Sequence, residues 1–301
     1  MTQSFELGYL CKLRSWVPVR RLSWEYLSQN PNAIRLLEKN PNRIFWKRLS
    51  LNPNAIPILE QNPEKIVWVA LSKNPNAIHL LEQNPEKINW CWLSANLNAI
   101  HLLEQNPEKI NWDWLSENPN AIHLLEQNPD KINWVMLSSN PNAIHLLEQN
   151  PDKIDWFWLS GNPNAIHLLE QNPEKICWGM LSRKPNAIHL LEQNPEKINW
   201  MYLSQNQNQN AIQLIEKNFD KSICWAWLSG NLNAIHLLEK NIDKIDFKWL
   251  SMNPSIFEYD YEAMKNRLAV YHEELVAKQF HPKNMNKFVG WGFEEFQECE
   301  F

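Results

Sequence analysis

Along most of the chain the apolar positions recur in one order, Trp-x-x-Leu, then Ala-Ile-x-Leu-Leu, then Ile, separated by polar steps rich in Asn and Pro. The order returns every 22 residues, with Trp24, Trp46, Trp68, Trp90, Trp112, Trp134, Trp156, Trp178 and Trp200 in phase, followed by Trp225 and Phe247. A period of this length is the signature of a repeat architecture. One unit runs from Trp112 to Asn133 and contains two Asn-Pro steps, Asn118-Pro119 and Asn128-Pro129. Asn is a good N-cap, Pro suits the first helical position, and the residue before Pro is driven out of the α region. Each step therefore predicts the end of one helix and the start of the next. The unit reads as two helices of about nine and eleven residues, too short to persist alone in water. Ala121, Ile122, Leu124 and Leu125 give one helix an apolar face, and Ile132, Trp134 and Leu137 give the other its counterpart. Stacked in register, these faces predict an all-α fold, an α-solenoid of about ten 22-residue two-helix repeats. At the usual helix spacing of about 8–10 Å it would form a curved, elongated rod roughly 90 Å long.

The ladder formed by Trp46, Trp68, Trp90, Trp112, Trp134, Trp156, Trp178, Trp200 and Trp225 is expected to be structural core, since stacked repeats need a large apolar residue at a constant place. A second aromatic or Met position lies two residues on, for example Trp92, Trp114, Met136, Trp158 and Tyr202, and is expected to be mostly core with some lining of a groove. Both ends depart from the repeat. Residues 1–23, with Leu7, Tyr9, Leu10, Leu13, Trp16 and Val17, predict an N-terminal helical cap, residues 24–253 the tandem array, and residues 254–301 a C-terminal helical cap ending in Trp291, Phe293 and Phe296. Gln207, Asn208 and Ser222 mark about three inserted residues, which predict a local change of pitch over residues 203–224. Leu97, Lys184, Phe219, Leu232 and Ile242 replace members of the Asn-Pro steps.

Composition narrows the function. Twenty-nine Lys and Arg against 34 Asp and Glu give a formal charge of -5, so there is no basic field of the kind that binds phosphate backbones indiscriminately. No apolar run approaches a membrane span, residues 1–23 lack the layout of a secretory signal, and five scattered cysteines suggest neither a disulfide framework nor zinc ligand pairs. A soluble protein in a reducing, intracellular compartment is expected, with no cofactor. Six glycines leave no room for a P-loop or dinucleotide fingerprint. His123 with Glu126 repeats in most units without a third ligand or a nucleophile, so neither catalysis nor metal binding is expected. The histidine row (His79, His101, His123, His145, His167, His189 and His236) reads as solvated, its members too far apart to share a metal.

Two positions change from unit to unit while the scaffold stays constant. Directly after the Trp come Lys47, Asp113, Val135, Phe157 and Met201 among others, and four residues later come Lys73, Glu117 and Arg183 among others. Residues i and i+4 share a helical face, and the Lys of Pro-Glu/Asp-Lys, such as Lys109 and Lys131, falls four residues before the first of these positions. Together they predict an outward binding stripe on one helix. Its mixed chemistry suits a protein partner rather than nucleic acid. The leading expectation is a non-enzymatic interaction scaffold. A self-associating or virion-packing structural component, and a modular single-stranded RNA-binding array, are the alternatives.

The unit Trp-x-x-Leu-Ser-x-Asn-Pro-Asn-Ala-Ile-His-Leu-Leu-Glu-Gln-Asn-Pro, with a tail containing Phe257-Glu258-Tyr259-Asp260-Tyr261 and Phe280-His281-Pro282-Lys283, resembles uncharacterised 22-residue tandem-repeat proteins of giant (nucleocytoplasmic large) DNA viruses. The resemblance spans nearly the whole chain. It implies a host or viral protein as partner, in the host cytoplasm or virion, and assigns no catalytic or ligand-binding residue.

Overall fold

The computed structural model describes residues 11–279 and residue 281, and divides them between two compact units that meet at Glu258 and Tyr259. The first unit is the repeat array. Each repeat opens with a short α-helix that begins at the Trp, such as Trp112–Glu117, turns a tight corner at the first Asn-Pro step, and returns through a second helix, such as Ile122–Gln127. The second step does not start an eleven-residue helix as its Pro predicts. Pro129–Lys131 is a single 3-10 turn, Ile132 is extended at φ -66 and ψ 123, and the helix begins afresh at Trp134 under the cap of Asn133, whose side chain accepts from Met136 N. The same break occurs at Val67 and Cys177, which make no side-chain cap. The bond common to these repeats runs from the backbone N–H before the Trp to a buried Ser Oγ, as from Asn133 N to Ser116 and from Cys177 N to Ser160, and it holds the chain extended there. Asn128 is correspondingly no N-cap: its Nδ2 donates to the Leu124 carbonyl, closing the preceding helix.

Core packing follows the apolar order of the sequence. Leu115, Ala121 and Leu125 and their equivalents are fully buried, whereas the repeat Trp rings are only partly buried. Their outer faces are covered by the Lys of the same repeat's second turn. Lys109 Nζ lies 4.5 Å from the Trp90 ring centroid, Lys131 4.7 Å from that of Trp112, and Lys175 4.4 Å from that of Trp156. These lysines therefore do not extend the variable stripe. The extended Ile between turn and helix leaves them over the Trp that opens their own repeat, off the line of the helix that follows.

Buried asparagines join the repeats. Asn52 Nδ2 donates to the carbonyls of Ser28 and Asn30, Asn74 to those of Ser50 and Asn52, and Asn140 to those of Ser116 and Asn118, while each Oδ1 accepts from the backbone two residues on. A serine completes the joint: Ser138 Oγ donates to the Trp134 carbonyl and accepts from Asp155 N. All of these asparagine and serine side chains are buried, so each bond satisfies a group that water cannot reach.

The same joint connects the last repeat to the first. Asn30 Nδ2 donates to the carbonyls of Ser251 and Asn253 at 3.0 and 3.1 Å, Ser251 Oγ accepts from Ser23 N, and Asn32 Nδ2 donates to the Pro254 carbonyl. Arg21 lies over Phe247 as Arg43 lies over Trp24. The first unit is therefore a closed ring of eleven joints, not the open curved rod that stacking alone suggests. In the repeat begun at Phe247–Leu250 a two-stranded clasp replaces the second helix, with β1 (Cys11–Leu13) paired to β2 (Phe257–Tyr259) and fastened by Arg14, whose N and Nε donate to the carbonyls of Ile256 and Ser255.

The expected N-terminal helical cap is thus corrected. Residues 11–23 hold a strand and one 3-10 turn (Val19–Arg21), because in a ring this segment completes a repeat and covers no open end. Leu7, Tyr9 and Leu10 lie outside the described residues. At the other end, Pro254–Ile256 and the start of β2 belong to the ring, and a long helix, Tyr261–Gln279, follows in the second unit. The expected aromatic end at Trp291, Phe293 and Phe296 lies outside the described residues. The inserted residues near 207 and 222 do not disturb the joint: Asn231 Nδ2 still reaches the carbonyls of Ser204 and Asn206. The extra length is absorbed by a longer second helix, Gln209–Lys217, and the turn after it. No helix among the described residues is long and apolar enough to cross a membrane.

Candidate functional site

Which wall faces the opening follows from which helices crowd. Wherever α-helices of successive repeats contact extensively, both are Trp-bearing ones, as with Trp112–Glu117 and Trp134–Ser138. In a closed ring the crowded layer is the inner one. On each inner helix the buried Leu and Ser, such as Leu115 and Ser116, point toward the second layer. The residues one, two and five places after the Trp point the other way and line the opening. Eleven helices at about 8–10 Å spacing set a circle of axes roughly 30 Å across. Subtracting about 5 Å of helix radius on each side leaves an opening on the order of 20 Å.

The variable stripe therefore lies on the inner wall and not on the outside, and the ring brings all its candidate residues around one space. Phe157, 51% exposed, stands edge-on to Trp158 with ring centroids 5.6 Å apart, and Val135 and Met201 are also exposed. Asp113 accepts from Nδ2 of Asn133, the last residue of the same repeat, at 2.7 Å. Lys73 Nζ rests 4.9 Å above the Trp92 ring, and Lys47, Glu117 and Arg183 are exposed. The second aromatic position supplies the wall between them. Trp92 and Trp114 are 5.2 Å apart, and Tyr202 and Trp227 are 5.3 Å apart. Arg48 lies over Tyr26 and also pairs with Glu25. Across the seam Lys248 lies over the same Tyr26 ring, so the row is continuous around the ring.

One joint differs. Lys184 stands where every other joint has its buried asparagine, and among the described residues no Nδ2 donor reaches the Ser160 and Asn162 carbonyls. Its stem passes over Gly161, where an added Cβ would sit 3.5 Å from Lys184 Cε and 3.1 Å from Met180 Cε. Burial lowers the Lys184 pKa from its ordinary value, and the neighbouring Arg183 adds to the effect.

The histidine row lies on the second helices, away from the opening, and is more structured than a solvated row. Each Nε2 meets the Glu of the preceding repeat, at 2.8 Å for His123 with Glu104 and His145 with Glu126, and 3.0 Å for His236 with Glu216. Among the described residues no three His, Cys, Asp or Glu side chains gather as a metal site.

The joint asparagines and the seam residues Ser23, Asn30, Ser251 and Asn253 are what the repeat pattern alone leaves out. The available signal is that Asn persists at the first step even where Pro is lost, as at Asn96-Leu97 and Asn231-Leu232, which a helix stop would not require. Comparison of the chain with protein-family models, with curated proteins and with solved structures returns no match.

Proposed function

We propose that this chain is a non-enzymatic binding ring that holds a segment of a partner protein in its central opening. One observation carries the reading: the two positions that differ most between otherwise near-identical repeats, one and five places after the Trp, face the inner wall, while the outer row repeats the same kind of His and Glu pair from His79 to His236. A constant scaffold with a variable face is how repeat proteins read a partner over several units. The wall mixes exposed aromatics and aliphatics with charges of both signs, as protein interfaces do, and lacks the uniform basic lining that a phosphate backbone requires. An opening on the order of 20 Å admits a helix of about 10–12 Å diameter or an extended segment. The resemblance to repeat proteins of giant DNA viruses would place that partner in an infected cell.

The test uses photocrosslinking from each side of the wall. A photoreactive phenylalanine at Phe157 should capture the partner, the same residue at His145 should not, and the combined change of Asp113, Phe157 and Arg183 to Ala should abolish capture. Capture from His145 alone would move the binding surface to the outer face, and salt-sensitive capture of RNA at Phe157 would replace the protein reading with nucleic acid.

A further inference from the structure

The inner wall is uneven, and one arc of it is shaped as a site. Lys73, Ala95 and Glu117 occupy the same position in three successive repeats, so a cation and a carboxylate stand on either side of a residue too small to fill the space between them. Trp114 and Leu97 wall the hollow, Asn118 and Pro119 complete it, and its volume is about 210 Å³. Leu97 replaces the proline found at this step in most repeats and leaves an apolar side chain 46% exposed at the rim. The Lys73 ammonium is held over the Trp92 ring and not by a carboxylate, and Glu117 forms no ion pair with a described residue. Both charges thus remain available to a ligand, beside an apolar floor that a ligand would desolvate.

We propose that this cleft is the specificity-determining subsite of the ring. It takes one apolar side chain of an extended peptide, with an acidic residue on its Lys73 side and a basic residue on its Glu117 side. The inference rests on the binding-ring reading above and names the chemistry of its partner. The volume decides between ligand classes, since about 210 Å³ falls below the roughly 300–1,000 Å³ of small-molecule sites and suits a single side chain. Two repeat steps of about 8–10 Å separate the charged positions, so in an extended chain rising about 3.3 Å per residue the acidic and basic residues lie about five residues apart. The polarity is set by charge: a segment with two acids or two bases meets one like charge at the cleft.

The experiment is selection from a random dodecapeptide display library on the intact chain and on Lys73→Glu, Glu117→Lys and Ala95→Trp. The parent should enrich an acidic, apolar, basic pattern. Lys73→Glu should exchange the acidic member for a second basic one, and Glu117→Lys should exchange the basic member for a second acidic one. Each swap should lower affinity for a synthetic parent-selected peptide about tenfold, the effect of one unfavourable charge contact. Ala95→Trp should abolish its binding with the fold intact by circular dichroism. An enriched pattern that neither charge swap alters, but that Phe157→Ala removes, would overturn the cleft while leaving the ring's role standing. Absence of any enrichment dependent on an inner-wall residue would overturn both.

Discussion

The residue that decides this architecture is an asparagine. Its amide donates twice and accepts once, which matches the two carbonyls and one N–H left at each corner, and a side chain one carbon longer or without the amide cannot do all three. Asn140 makes these bonds while fully buried. Replacing it with Ala removes the partner of the Ser116 carbonyl and of Asn142 N and leaves the Asn118 carbonyl with its Ala121 bond alone, and should cost about 2–4 kcal/mol by urea denaturation. Lys184 is the natural counterpart, so Lys184→Asn should raise stability by about 1–2 kcal/mol by supplying donors to Ser160 and Asn162. It should also change the pH dependence. A lysine whose folded pKa is lowered binds fewer protons folded than unfolded. It therefore destabilises the fold below that lowered value, and the penalty is relieved as pH rises toward 10.5. Denaturation from neutral to alkaline pH should show a rise attributable to this residue in the parent and none in Lys184→Asn.

At the scale of the elements, legibility in the sequence depended on whether a bond partner was local. The Trp helices and the Ala-Ile-x-Leu-Leu helices were legible because their apolar spacing is a property of one segment. The division of the predicted longer helix into a 3-10 turn and a four- to six-residue helix occurs with or without an Asn133-type cap, and goes with a bond from the backbone N–H before the Trp to a serine 17 residues earlier, which no local pattern carries. The variable positions were legible by comparing units, but their inward direction was not, because it depends on which layer crowds when the ring closes. The caps themselves vary. Asn111, Asn133 and Asp155 accept from the backbone three residues on, whereas Cys177 makes no side-chain cap bond. Cys177→Asn should therefore stabilise the chain by about 0.5–1 kcal/mol, read as a higher urea midpoint at unchanged slope.

At the scale of the whole ring, the seam is chemically one joint among eleven. Asn30→Ala should destabilise the first unit as much as Asn140→Ala does, within about 0.5 kcal/mol, the scatter expected of equivalent and distant sites. If the first and last repeats frayed as solenoid ends do, Asn30→Ala would be nearly silent. The clasp of β1 and β2 explains why closure is not apparent from the repeat pattern: it joins two segments that carry no repeat motif, and their pairing is long-range. Closure also bears on how such a chain can evolve. An open solenoid gains or loses units one at a time, each change local to an end. Here the joints turn on average through one-eleventh of a circle, so adding or removing a unit asks the others to change angle together or the clasp to part. Copy number in this protein is set by geometry, and duplication can rewrite the wall of the ring far more readily than it can alter the ring's size.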